Sequence, residues 1–142
     1  MKWLTNDSEK DERLYVFVDS MCRSIYFEAE EEEAKLGPID TWKFTLPKEV
    51  FQGVKSNPDN VGFCPEGHLD CQLGGVLNLT SCYKETYDMT VPILMSKPHL
   101  LDADDSFHAV LQGLSPAESL HGTRLYIEPV TGFLLGKRFL SV

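Results

Sequence analysis

Apolar residues along the chain fall mostly into short blocks separated by turn residues. LYVFV at 14–18 is a compact run of Val and aromatics, as in a buried strand. CRSIYF at 22–27 reads as a second strand. TWKFTL at 41–46 alternates cleanly, with Trp42, Phe44 and Leu46 on one side and Thr41, Lys43 and Thr45 on the other. That period of two is the mark of a half-buried strand, and Pro47 stops it. GGVLNL at 74–79 predicts a short strand after a glycine hinge. TVPILM at 90–95 is strand-like, provided Pro92 sits where no ladder N–H is needed. RLYIEPVTGFLLG at 124–136 predicts two strands around a turn at Pro129–Gly132.

Two stretches carry helical signals instead. From Asp104 to Leu114, Phe107, Val110, Leu111 and Leu114 share one face, Asp104 or Asp105 can cap the start, and Gly113 lies near the end. SPAESL at 115–120 offers a shorter turn, with Ser115 as cap, Pro116 first and Glu118 three residues on from the cap. Residues 5–13 are a polar lead-in. The Glu run at 28–35 suits a solvated turn or strand end, because a block of like charges belongs in water. The sum is a mainly β chain with short helices, an α+β fold.

Composition narrows the partners. The 142 residues suit one domain and include 42% hydrophobic positions, enough for a core. A net charge of −9 argues against nucleic acid, whose binders concentrate Lys and Arg. No apolar run approaches the roughly 18 residues needed to span a bilayer.

The candidate chemistry centres on FCPEGHLDC at 63–71. Four cysteines, Cys22, Cys64, Cys71 and Cys82, permit three disulfide connectivities. The nested one joins Cys22 to Cys82 and closes Cys64–Cys71 around Pro65 and Gly67. A zinc site of Cys64, His68, Cys71 and Cys82 is the alternative, although its spacing fits no usual short-pair motif. Free structural thiols are the third reading. Asn78-Leu79-Thr80 and Asn6-Asp7-Ser8 are glycosylation sequons. No nucleophile elbow, zinc-protease helix or phosphate loop is present. His99, His108 and His121 are dispersed, and His108 reads as a surface residue near Asp104 and Asp105. The chain is therefore expected not to be an enzyme and to need no cofactor.

Six motifs come in a recognisable order: MCRSIYF, GPIDTWKFTLP, NPDNVGFC, GGVLNLTSC, SKPHLLDAD and LYIEPVTG. Together they resemble the class B scavenger receptor family over residues 14–142, and DNVGFCPEGHLDC with ADDSFHAVLQGL is similar to its lysosomal membrane protein branch. The resemblance implies the later half of an ectodomain, part of an antiparallel β-barrel crossed by a lipid tunnel. It implies a parent that spans the membrane at both ends, with an apex bundle upstream, so that Met1 would be internal to the parent sequence. It implies Cys22–Cys82 and Cys64–Cys71 disulfides, with Gly62 where many relatives hold a further cysteine, and glycosylation at Asn78. Trp42, Phe44, Ile93 and Tyr126 are the candidate tunnel residues. Implied partners are lipids or lipoproteins, or a protein ligand carried to lysosomes, on the extracellular or luminal side of a plasma or lysosomal membrane. A structural zinc-binding intracellular module is the rival function. A part-barrel is also expected to leave strand edges unpaired.

Overall fold

The computed structural model describes residues 13–31, 34–64, 71, 73–88 and 91–138. The polar lead-in up to residue 12 lies outside them. Strands β1 (Leu14–Val18) and β2 (Arg23–Ala29) form first, joined by a tight helical turn at Asp19–Met21. Cys22 ends that turn in the left-handed region, φ 51°. A short hairpin follows, β3 (Ala34–Leu36) and β4 (Ile39–Thr45). β5 (Val76–Asn78) leads into helix α1 (Thr80–Tyr87), and β6 (Leu94–Ser96) returns to pair with β5. Helices α2 (Asp105–Val110) and α3 (Glu118–His121) are short. β7 (Arg124–Ile127) and β8 (Leu134–Arg138) close the described chain as a hairpin.

Five strands run β1-β2-β4-β7-β8, with β3 paired beside β4, and every pairing is antiparallel. The sheet curls into a half-barrel. β1 and β8 stand at its two ends. Register decides what faces inward, because cross-strand partners share a face. Leu14 lies opposite Phe27, and Val16 opposite Ile25. Ala29 and Leu125 both lie opposite Phe44, and Ile127 opposite Trp42. These residues line the inner face. Tyr15 pairs with Tyr26 on the outer face, where Arg13 covers the Tyr26 ring at 4.2 Å.

The core fills one part of that inner face. Phe44 and Phe51 are fully buried, with Phe27, Leu46, Val50, Leu77 and Leu79 packed around them. Gly75 brings β5 into place. Its φ is +87°, and a Cβ there would meet Ala103 Cα at 2.1 Å, so only glycine fits both demands. Lys97 is 2% exposed and donates from Nζ to Leu46 O and to Asp102 Oδ2, at 3.3 and 2.7 Å. Those bonds hold the 97–102 turn, where His99, Leu100 and Asp102 all have positive φ.

Several expected elements shifted. The 104–114 helix is cut to α2, because Leu111 is extended and Gly113 has φ +86°. Asp104 does cap it, accepting from the Ser106 N–H. Its apolar face is left exposed, Val110 at 79%. α3 starts at Glu118, after Ala117, rather than after a Ser115 cap. α1 lies where no helix was read, because TSCYKETY has little apolar periodicity. The hairpin at 124–138 follows its turn signals. Glu128 accepts from the Thr131 hydroxyl and from the Val130 and Thr131 N–H groups, and those bonds, the hydroxyl first, hold its carboxyl below the usual 4.5.

Phe44→Ala is expected to cost about 3–5 kcal/mol in chemical denaturation, the range for an aromatic core deletion. Val130→Ala, at an 82% exposed turn position, is expected to stay within about 0.5 kcal/mol. The lowered Glu128 pKa means its turn bonds are intact above pH ~4.5 and are lost as pH falls through the lowered value. Titration by NMR should place the Glu128 midpoint below 4.5; a midpoint at or above 4.5 refutes the capped turn.

Candidate functional site

Toward β1 the inner face borders a concavity of about 550 Å³, lined in part by residues of the core itself. Leu14, Val16, Ile25, Phe27, Leu125 and Ile127 make its floor and walls, with Leu134 from β8. Alternation in β1, β2 and β7 puts these side chains on one side. Among the described residues, polar side chains reach it at the β1–β2 corner, through Asp19 and Ser20, and the rest of the lining is apolar. It offers dry surface to an elongated apolar molecule.

The four candidate tunnel residues sit elsewhere. Phe44 and Trp42 share the inner face, but Phe44 is packed into the core and Trp42 lies beside it. Ile93 packs against the same core from outside the main sheet. Tyr126 alternates with Leu125 and Ile127, so it points to the outer face. None of the four lines the concavity. Sequence alternation identifies faces but not which end of a face the core fills. Leu14, Val16, Ile25 and Ile127 carried the same apolar signal as Trp42 and Phe44.

Cys22 is bonded to Cys82, tying the β1–β2 corner to α1, with Cα atoms 6.0 Å apart. Cys64 is bonded to Cys71, Cα to Cα 5.7 Å. Both pairs are therefore unable to serve as zinc thiolates. Among the described residues no group of three His, Cys, Asp or Glu side chains could hold a metal. His68 and Asn6 lie outside the described residues. Asn78 sits at the end of β5, half-buried, where its Oδ1 accepts from the Thr80 N–H. Gly62 lies in a helical turn at Pro58–Phe63 with open space around its Cα.

The histidines are not all dispersed. His99 and His121 stack, ring centroids 4.1 Å apart. Each Nδ1 accepts a backbone N–H, from Ser115 and from Ala117 respectively. The pair pins the 111–117 segment; no local pattern signalled it, because 22 positions separate the two rings.

Loop entropy assigns the Cys22–Cys82 bond, spanning 60 residues, about 4 kcal/mol, and the Cys64–Cys71 bond, spanning 7, about 2.5 kcal/mol. Removing the first by a double Cys→Ala change should therefore lower the unfolding free energy more than removing the second. The reverse order would show that the corner tie is not the stronger staple. Thiol counting on the denatured, unreduced chain should find no free thiol; four would restore the zinc reading.

Residues 2–139 match the CD36 family model. Human lysosome membrane protein 2 is 38% identical over 133 residues, covering 92% of this chain and 26% of that protein. Sensory neuron membrane protein 2 of Heliothis virescens is 30% identical over 134 residues, 91% of this chain and 24% of the relative. Scavenger receptor class B member 1 of Rattus norvegicus is 33% identical over 119 residues, 84% of this chain and 21% of the relative. The chain thus spans about a quarter of the length of the curated relatives it matches. Among the described residues no helix is long and apolar enough to cross a membrane. With nearly its whole length matched, the chain belongs to the CD36 family of class B scavenger receptors.

Proposed function

We propose that this chain supplies part of the lipid-binding wall of a membrane scavenger receptor, acting by binding and conduction rather than catalysis. The observation that carries the reading is the concavity: about 550 Å³, lined almost wholly by aliphatic and aromatic side chains, on the inner face of a half-barrel. A long-chain lipid leaves water there and needs no polar partner along its tail. The ends of the sheet at β1 and β8 are where further strands of a parent protein would extend the wall. In this reading residues 14–142 are the later part of an ectodomain.

Two disulfides in a chain of this size favour an oxidising compartment, and the Asn78 sequon fits the same side of the membrane. That places the domain on the extracellular or luminal face. The names of the relatives point both to lysosomal membranes and to scavenger receptors. Lipids or lipoproteins are the proposed ligands, with delivery of a protein ligand to lysosomes as the second reading. The acidic balance of −9 makes the surface as a whole a poor dock for large anionic particles, whatever a single local cleft binds.

Filling the concavity tests the proposal without adding charge. Val16→Trp should weaken binding of a fluorescent long-chain fatty acid at least tenfold. Tyr15→Glu, one residue away on the outer face, should leave it unchanged. Equal binding by the Val16→Trp and wild-type chains would refute the assignment.

A further inference from the structure

Arg23 interrupts the apolar pattern of the inner face. It lies opposite Val18 at the β1–β2 corner and is only 5% exposed. Its Nη1 donates to Asn60 Oδ1 at 3.2 Å, and the Phe63 ring covers its guanidinium carbon at 3.8 Å. Its Nε is buried and has no acceptor. Among the described residues no carboxylate pairs with it. Burial pushes its pKa down to about 10. Burying an unpaired cation is costly, and folded chains normally meet it with an anion.

A separate cleft of about 260 Å³ opens beside this group. Arg23, Gly62 and Phe63 line one part of it, and Leu79, Ser81 and Cys82 from the start of α1 line another. α1 spans eight residues and has no side-chain cap from Leu79. Asn78 Oδ1 takes the Thr80 N–H, and the Tyr83 N–H bonds to Leu79 O. Helix geometry leaves the intervening N–H groups of Ser81 and Cys82 without intrahelical acceptors. They carry the positive end of the helix dipole toward the same cleft. The Cys22–Cys82 bond fixes the distance between helix start and strand corner. Glu85, exposed, also lines the cleft and opposes a bound negative charge.

From this convergence we infer that the cleft is an anion site, holding a carboxylate or phosphate group between the Arg23 guanidinium and the amides of Ser81 and Cys82. The inference is independent of the lipid reading, because the cleft shares none of its lining residues with the apolar concavity. The same chemistry is offered by a free anion and by the head group of an anionic lipid.

The test follows the amide resonances of Ser81 and Cys82 in the full 142-residue chain at constant ionic strength. The probes are inorganic phosphate, acetate, and phosphatidylcholine vesicles with and without phosphatidylserine. Saturable shifts are expected with at least one anionic probe and not with chloride. A response to the free anions assigns a soluble ligand; a response confined to phosphatidylserine vesicles assigns a head group. Arg23→Met should weaken the response at least tenfold. Where that variant does not fold, Glu85→Gln should tighten binding about two- to threefold by removing an exposed like charge. Absence of saturation with every probe overturns the site, as does unchanged affinity in Arg23→Met or in Glu85→Gln. Absence of saturation is the outcome expected if an acidic segment of the parent protein neutralises Arg23 instead.

Discussion

The fold depends on how the inner face of one curled antiparallel sheet is shared. Phe44 lies at the division. It is fully buried, faces Leu125 on β7 and Ala29 on β2, and packs with Phe51 and Leu79 from outside the sheet. On its side the turns and the β5–β6 ribbon cover the sheet and make the core. On the far side, toward β1, Leu14, Ile25 and Ile127 belong to the same core cluster and also line the concavity. One pattern of alternation therefore supplies both the packed core and the walls of the concavity. The hydrophobic effect does not distinguish them; only the presence of a covering element does.

Cross-links hold that division in place. The Cys22–Cys82 bond ties the β1–β2 corner to α1, and the Lys97 bonds to Leu46 and Asp102 tie the later loop to the end of β4. Gly75 lets β5 approach Ala103 where no side chain could pass. The His99–His121 stack secures the segment between them. Apart from the local Lys97–Asp102 pair, each tie joins residues far apart in the chain and restrains a loop-rich half that has few strands of its own. Arg23 stands where the apolar face meets this half, buried and without an ion pair among the described residues.

Much of this was legible residue by residue. Alternation in TWKFTL marked β4, the Val-rich run marked β1, and Pro129–Gly132 marked the β7–β8 turn. Those signals are local, because side-chain period and turn chemistry act within a few residues. The six ordered motifs pointed to the family that the comparisons then showed. The less legible features depend on distant partners. α1 forms in a segment of weak periodicity, held by a disulfide to Cys22 and by packing of Tyr83 on the core. α2 stops early, where Leu111 turns extended and Val110 and Leu111 lie exposed, so that half of its apolar face gains no burial.

By itself, the sequence determined the strand-rich character, the main turns, the family and the set of cysteines. Strand period, turn propensity and residue order are properties of neighbours along the chain. Tertiary structure alone decided that Leu14, Val16, Ile25 and Ile127, rather than Trp42 and Phe44, face the open concavity, and that Tyr126 looks away from it. It alone brought His99 onto His121, and the start of α1 beside Arg23. The reason is physical: an apolar residue is driven out of water equally by a core or by a ligand, and only the three-dimensional path of the chain settles which one arrives.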